Sequence, residues 1–357
     1  MKLKNIKKIF ALVLSFALVL GLVACGSSKD TSKTSDKKEL KKLEVTAGNN
    51  MVSSALTVIA KYAGYFEEEG LDVNLTPTAS NAYEPLLTGK LDITSGGAPQ
   101  PLELIDHGDK LVMFAGAMGN GAGIYSLPER ADEFKELNNE SLAGKKIGVT
   151  RGTSGLFGFV DWLQKNDIDY TKIEWVELDS IPTIIEAIRK GEIDLGLIYL
   201  TFRLTAEEQG LNRVTHIDDL EEFICCRLTT TPEKLEENRD DYVAFTRAII
   251  KAYHLLNTDQ DSSVKYMKEY MEIDEEVIRN QLFEYGHLTL DPNPAKDKII
   301  DFYNSMKLLG YVDGNADVAQ NVDSTIFKDA IEQIIEENPD DEIYKALYEE
   351  YKETNTK

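Results

Sequence analysis

The chain has 357 residues, with 62 acidic and 39 basic side chains and a formal net charge of −23 at pH 7. This negative field argues against nucleic acid as a partner and against attachment to anionic lipid through a basic patch. The folded part is longer than one hydrophobic core usually covers, so two lobes are expected.

The first 24 residues predict a secretory signal peptide, because four lysines precede an apolar run from Ile9 to Leu20. A single transmembrane anchor is the alternative, although such a helix usually needs about 20 apolar residues. The sequence Leu22-Val23-Ala24-Cys25 resembles the lipobox of bacterial lipoproteins. We therefore expect a lipid-anchored protein on the outer face of the cell membrane, held through Cys25 and a flexible tether over residues 25–42.

Two β-turn-α-β units are predicted after the tether. The first has its helix from about Val52 and its second strand over 71–76; the second has a strand over 146–150, a helix over 154–165 and a strand over 173–178. The pattern V-T-x-G begins at Val45 and again 104 residues later.

A second internal echo supports two lobes of related design. G-K-L-D-I begins at Gly89, and G-E-I-D-L begins 102 residues later at Gly191, each between a predicted helix and a strand. Short patterns of common residues also recur by chance, but the shared offset and order favour an α/β fold with two largely parallel sheets flanked by helices.

The two lobes need connecting strands. We expect the first lobe over residues 43–125, the second over 126–226, and a return to the first lobe over 227–357 that ends in an acidic helical tail. Two crossing strands would then form a hinge.

The adjacent Cys225 and Cys226 are predicted to lie buried on a strand, since a disulfide between sequence neighbours is strained. No metal or other cofactor is expected, because the nearest histidine, His216, stands alone.

In open parallel sheets, ligands bind beyond the carboxyl ends of the strands, where helix N-termini offer free N–H groups. Four predicted turns fall there and are expected to line one cleft. Tyr83 is a candidate aromatic wall, because it follows a polar loop and is hard to bury wholly. The candidate contacts on the turns are Asn49, Asn50, Met51, Gly97, Ala98, Arg151, Thr153, Ser154, Gly155 and Tyr199.

Simpler roles compete for several of these residues. Thr153 and Ser154 could act only as helix caps, and Arg151 could form a surface ion pair instead of binding an anionic group. The segment from Ser95 to Pro99 could be a simple tight turn, but its paired glycines are expected to present successive N–H groups to a ligand.

Four segments carry a family resemblance: AKYAGYFEEEGLDV, LLTGKLDITSGGAP, LAGKKIGVTRGTSG and AIRKGEIDLGLIY. They resemble the substrate-binding proteins of ABC importers, and are most similar to the family that captures aliphatic sulfonates, taurine, nitrate-type anions and thiamine pyrimidine precursors. The resemblance covers about Leu43 to Leu255. It implies a type II periplasmic-binding-protein fold, a small-molecule ligand, an ABC permease in the membrane as partner, and a monomer. Carried over, the family's contacts include Ser53 beside the turns already named.

One departure bears on the ligand. Sulfonate binders often place a histidine or another polar residue shortly after the turn, whereas Leu156 and Phe157 follow it here. Two ligand classes stay open: a sulfonate-like anion held by Arg151 and backbone donors, or a pyrimidine-like heterocycle stacked on Tyr83 or Tyr199.

Two other functions compete with delivery to an importer. An enzyme similar to the pyrimidine-forming synthase of the same fold class needs titrating groups in the cleft, but none of the four histidines, His107, His216, His254 and His287, lies in the predicted turns. A tethered sensor of a small ligand is the other alternative, and delivery to a permease is the simpler interpretation.

Overall fold

The structure is a computed structural model that describes residues 39–48, 52–78 and 82–357. The predicted signal peptide, the lipidated cysteine, most of the tether and the candidate contacts at 49–51 therefore lie outside the described residues. Residues Leu40–Lys357 form one compact unit.

The strands follow the predicted β-turn-α-β units, with further strands between them. In chain order they are β1 (Lys41–Gly48), β2 (Leu71–Thr78), β3 (Ile93–Gly97), β4 (Val112–Asn120), β5 (Ala122–Ser126), β6 (Lys146–Thr150), β7 (Glu174–Leu178), β8 (Leu195–Tyr199), β9 (Asn212–His216), β10 (Ile224–Thr230) and β11 (Leu288–Thr289).

These strands form two sheets in the described part of the chain. The first sheet has the order β11-β4-β10-β3-β1-β2, and the second has the order β7-β6-β8-β5-β9. In the first sheet β1 runs parallel to β2 and β3, whereas β10 runs antiparallel to β3 and β4. In the second sheet β6 runs parallel to β7 and β8, whereas β5 runs antiparallel to β8 and β9.

Each sheet is therefore mixed, where the sequence predicted largely parallel sheets. The parallel strands belong to the predicted β-turn-α-β units, in which the helix carries the chain back so that the next strand runs in the same direction. Most antiparallel pairs involve β5 and β10, which arrive from the other sheet without such a helix, and the short β11 also pairs antiparallel with β4.

The chain passes between the sheets twice. It leaves the first sheet at Gly121, between β4 and β5, and it returns over residues 217–223, between β9 and β10. Gly121 has φ +90°, a left-handed conformation that favours glycine. The two crossings form the hinge of a two-lobed fold, and the lobe boundaries at 125/126 and 226/227 stay predictions.

Helices cover the faces of both sheets. No helix among the described residues combines the length and apolar character needed to cross a membrane. In chain order the helices are α1 (Ala55–Tyr62), α2 (Tyr65–Glu68), α3 (Tyr83–Leu87), α4 (Pro99–Asp106), α5 (Asn139–Leu142), α6 (Ser154–Lys165), α7 (Ile181–Arg189), α8 (Arg203–Glu208), α9 (Pro232–Glu237), α10 (Arg239–Thr258), α11 (Gln260–Tyr270), α12 (Glu275–Arg279), α13 (Lys296–Leu308), α14 (Thr325–Glu337) and α15 (Glu342–Thr354).

Helix α7 shows how the sequence builds a lobe. The Ser180 hydroxyl accepts the Thr183 N–H at the start of the helix, and the isoleucines on one face are buried against the second sheet. Glycine at position 196 of β8 leaves space for the helix, because a Cβ there would lie 2.4 Å from Ile184 Cγ2. The helix therefore packs close behind the strand that leads to Tyr199.

The C-terminal helices complete the first lobe and reach the second. Helix α10 packs against α1 and α14, and Phe245 stacks on Phe66 with ring centroids 4.7 Å apart. Helix α13 packs against α6, where Phe302 meets Phe157 edge to face at 5.1 Å. The last helices thus support both sides of the hinge.

Gly116 in β4 offers a direct test of this packing. A Cβ there would lie 2.3 Å from the Asn293 carbonyl oxygen and 2.4 Å from that of Asp291. We expect Gly116→Ala to lower the free energy of unfolding by about 1–3 kcal/mol, because overpacking displaces the backbone. Gly97→Ala in β3 is the matched control, since its nearest contact is 3.7 Å from Pro99 Cδ. Urea unfolding measures both, and a wild-type midpoint for Gly116→Ala would contradict the prediction.

Candidate ligand-binding site

A cavity of about 350 Å³ lies between the two sheets, beyond the carboxyl ends of β3, β6 and β8. Its volume is at the lower end of the roughly 300–1,000 Å³ typical of small-molecule sites. Both lobes and the first crossing contribute to its wall. The described lining residues are Val52, Ser53, Gly97, Pro99, Met118, Gly121, Gly152, Thr153, Ser154, Tyr199, Leu200, Thr201, Cys225, Cys226, Gln281, Tyr285 and Leu288.

The cavity wall carries no charged side chain among the described residues. Residues 49–51, which precede Val52 in the sequence and lie outside the described part of the chain, are Asn-Asn-Met and carry no charge. The polar groups are hydroxyls, one primary amide and the backbone. Such a wall suits a ligand with an apolar or aromatic body and a few hydrogen-bonding atoms.

Tyr199 is the last residue of β8, and its side chain reaches the N-terminus of α6. Its hydroxyl accepts the Gly155 N–H at 2.7 Å, which satisfies one of the free donors at the helix start. A Cβ on Gly155 would lie 2.8 Å from Ala122 Cβ and 3.3 Å from the same hydroxyl. Burial raises the pKa of Tyr199, so the phenol is neutral. Glycine at 155 therefore allows the tyrosine to cap the helix and face the cavity.

The hydroxyls of the turn before α6 do not cap the helix, although the simpler alternative expected this, because each donates to a carbonyl oxygen instead. The Thr153 hydroxyl donates to the Thr150 carbonyl oxygen at 3.0 Å, and the Ser154 hydroxyl donates to the Cys225 carbonyl oxygen at 3.5 Å. Both residues line the cavity. Gly152 has φ +65°, which allows the turn to reverse before the helix. The contact of Ser154 joins the second lobe to β10 of the first sheet.

Cys225 and Cys226 both line the cavity, although successive side chains on a regular strand point to opposite faces. The register of β10 against β4 shifts at Cys226, and such a bulge re-aims side chains. Both thiols are free and buried, with their Sγ atoms 3.4 Å apart. The hydrogen bond with Cys225, together with burial, raises the pKa of Cys226, so this thiol is protonated at neutral pH.

Another part of the cavity wall comes from a segment that the sequence did not indicate. Residues Asn280–Glu284 form a π-helical turn that follows α12 and brings Gln281 and Tyr285 to the cavity. Turns of this kind occur frequently at functional sites. The Arg203 side chain from the second lobe donates to the Tyr285 carbonyl oxygen at 3.3 Å and lies 5.9 Å from the centre of its ring.

Arg151 does not line the cavity. Its guanidinium pairs with Glu177 at 3.2 Å and lies 4.7 Å from the centre of the Tyr311 ring, and its side chain is 69% exposed. The hydrogen bond from the Tyr311 hydroxyl and the charge of Arg151 hold the pKa of Glu177 below its usual range. This geometry corresponds to the surface-ion-pair alternative, and it arises because the side chain extends outward from the turn.

Two other predicted contacts lie in the protein interior. Tyr83, expected to resist full burial, is 3% exposed and packs in the core beside Gly96, and burial raises the pKa of its hydroxyl. The Ala98 N–H donates to the Cys225 carbonyl oxygen at 2.8 Å. Ser95 to Gly97, expected to form a turn with available donors, belongs to β3 and pairs with β10. Of this group, Gly97 lines the cavity.

The site thus joins Ser53, Gly97, Thr153, Ser154 and Tyr199 of the predicted contacts at one cavity, and Gly155 acts behind Tyr199. Two sheets joined by two crossings, with a cavity between them, define the two-lobed periplasmic-binding-protein fold. The chain belongs to the NMT1/THI5-like family, whose model matches residues 52–263, more than half of the chain.

Individual relatives are similar at low identity. The chain is 23% identical over 287 residues to "Putative binding protein YtlA" of Bacillus subtilis (strain 168), covering 77% of this chain and 82% of that protein. The structure is similar to the periplasmic aliphatic sulphonate binding protein SsuA from Escherichia coli, with a TM-score of 0.62 at 16% identity over 80% of this chain and 99% of that one. It is also similar to the periplasmic nitrate-binding protein NrtA from Synechocystis PCC 6803, with a TM-score of 0.62 at 14% identity over 83% and 89%.

Tyr199→Phe tests the capping role of the hydroxyl. The substitution removes the acceptor of the Gly155 N–H, and we expect it to lower the free energy of unfolding by about 1–3 kcal/mol. Tyr62→Phe is the control, because Tyr62 is 41% exposed and its hydroxyl can be solvated. Thermal or urea unfolding compares the two variants, and equal stability would show that the hydrogen bond has no net value.

Proposed function

We propose that this chain is the extracytoplasmic solute-binding component of an ABC importer, which captures a small organic molecule between its lobes and delivers it to a membrane permease. Membership of the NMT1/THI5-like family and a fold like that of sulphonate- and nitrate-binding proteins support this proposal. No described lining residue is a histidine, carboxylate or lysine, so reversible capture without a covalent step is the simplest chemistry.

The uncharged wall favours an uncharged ligand over a sulfonate, and it is the observation on which the ligand class depends. An anion moved from water into this cavity would lose its hydration without meeting a cationic side chain. The start of α6 offers partial compensation through its N–H groups, but the Gly155 N–H already donates to Tyr199. We therefore favour a pyrimidine-like heterocycle over the sulfonate-like anion.

Two tyrosines supply the recognition surface for such a ring. Tyr199 lies on the second lobe and Tyr285 follows the π-helical turn of the first. Aromatic faces bind a flat heterocycle by stacking, while the hydroxyls of Ser53, Thr153 and Ser154 can bond its polar edge.

Capture by hinge closure follows from how the walls are divided between the lobes. The Ser154 to Cys225 and Arg203 to Tyr285 contacts both join the lobes beside the cavity. In an open form these contacts separate and the ligand enters. In the closed form they re-form around it, and the closed protein docks on the permease.

A titration of the purified chain tests the ligand class. We expect uncharged pyrimidines to bind and raise the thermal midpoint, and taurine, an alkanesulfonate and nitrate not to bind, as measured by isothermal titration calorimetry. Tyr285→Ala should weaken binding roughly 5- to 150-fold, because stacking of a base on an aromatic ring contributes about 1–3 kcal/mol. Arg151→Ala should leave affinity unchanged.

The opposite pattern would overturn the assignment. Sulfonate binding that Arg151→Ala abolishes would restore the anion hypothesis, and the absence of binding by every compound would count against capture itself. Mass spectrometry of the ligand recovered after incubation distinguishes capture from catalysis, since a synthase-like enzyme would alter it.

The anchor is tested separately. We propose that Cys25 is lipidated after removal of residues 1–24, on the basis of the Leu22-Val23-Ala24-Cys25 pattern. Cys25→Ser should move the protein from the membrane fraction to the soluble fraction of the producing cells, whereas Cys225→Ser should leave it in the membrane. Retention of Cys25→Ser at the membrane would favour a transmembrane anchor.

A further inference from the structure

Two of the histidines come together at the hinge, although they are far apart in sequence. His216 is the last residue of β9, and His287 directly precedes β11. Their rings stack with centroids 3.4 Å apart and planes inclined by 11°. Asp218, in the second crossing, lies with its Oδ2 2.6 Å from His287 Nδ1. The sequence suggested that His216 stands alone, but the structure stacks His287 on it and places Asp218 beside His287.

The side chains of this cluster have unused ligand atoms. His216 is 3% exposed, and neither of its ring nitrogens has a hydrogen-bond partner among the described residues. Asp218 Oδ1 is also buried without a partner there. Buried polar atoms are nearly always satisfied, because leaving them unpaired carries the full desolvation penalty. The three unpaired atoms, two on His216 and one on Asp218, are therefore available to bind a ligand.

The arrangement matches a metal site better than an anion or water site. One ligand atom from each of His216, Asp218 and His287 lies within 4.8 Å of the others. The hydrogen bond between Asp218 Oδ2 and His287 Nδ1 holds the carboxylate beside the imidazole. Burial lowers the pKa of His216 to about 4, so its ring is neutral.

The local charge balance is compatible with a cation. Asp218 and Asp219 both face His287, with Asp219 Oδ1 3.7 Å from Nδ1. Arg203 and Arg213 lie close enough to act on His216 through their charges, and Glu207 accepts a hydrogen bond from each of them. Their positive charges are thus partly compensated before a metal ion approaches.

We propose that His216, His287 and Asp218 bind one divalent transition-metal ion, with Zn²⁺ as the best match to two imidazoles and a carboxylate. The ion would replace the hydrogen bond between Asp218 and His287, so that the carboxylate and one ring nitrogen of each histidine become its ligands. The ion would draw the ligand atoms closer together, to bonds of about 2.0–2.2 Å. His287, whose side chain is 29% exposed, has the freedom to rotate for this purpose.

The position of the cluster gives the metal a structural consequence. His216 pairs with Gly123 of β5, Asp218 lies in the second crossing, and Leu288 of β11 lines the ligand cavity. An ion there would link the end of β9 and the second crossing to the segment that leads into β11. It would stabilise the hinge and the cavity wall together, whatever the identity of the captured ligand.

Titration of the metal-free full chain with Zn²⁺ tests this proposal. We expect one equivalent to bind and to raise the thermal midpoint. His216→Gln and His287→Gln should abolish this stoichiometric binding, and Asp218→Asn should weaken it by at least roughly 10–100-fold, the loss typical of even an orienting carboxylate. His107→Gln is the matched control, because His107 is an exposed histidine elsewhere, and it should bind like the wild type.

A second readout guards against variants that fail to fold. Co²⁺ in place of Zn²⁺ on the wild-type chain should give the visible absorption of a low-coordinate nitrogen and oxygen site, and excess Zn²⁺ should remove it. The proposal is overturned if the wild type binds no Zn²⁺, if His107→Gln loses the ion, or if folded His216→Gln and His287→Gln variants retain it. A failure of ligand capture would leave these metal results unchanged, so the two proposals are tested independently.

Discussion

The architecture depends on the insertion of β10 between β3 and β4. This strand returns from the second lobe, is buried along its whole length, and joins β3 to β4 within the first sheet. Arg227 fixes it there, because its guanidinium donates to the carbonyl oxygens of Pro294, Met118 and Cys226 at 2.8–3.2 Å. Burial lowers the pKa of Arg227 to about 10, so the group is still charged at neutral pH. The strand that carries Cys225 and Cys226 to the cavity is therefore held in place by the buried guanidinium of Arg227.

Local sequence signals predicted the second lobe closely. Strand β6 and helix α6 begin and end at the predicted residues, since the apolar alternation, the glycine turn and the apolar face of the helix all agree there. The first lobe was harder to predict. The Ser95 to Gly97 segment looks like a turn, but it becomes strand because β10, more than 120 residues away, supplies its partners. No local pattern contains that pairing.

The site was predictable to the extent that it consists of turns after strands. Thr153, Ser154 and Tyr199 follow this rule, and they line the cavity. Gln281 and Tyr285 do not, because a π-helical turn in an acidic helical region has no recognisable spacing. The direction of a side chain is also beyond such reasoning: Arg151 lies in the predicted turn, yet its long side chain finds Glu177 on the outer surface.

The two sides of the cavity wall differ in what else they hold in place. The family model matches residues 52–263, a span that includes the turns around Thr153 and Tyr199 but not the wall from Gln281 to Leu288. Tyr199 also holds the start of α6, which limits how freely it can change. Gln281 and Tyr285 take no part in that bond, so a substitution there would reshape the cavity wall while the start of α6 keeps its contact with Tyr199.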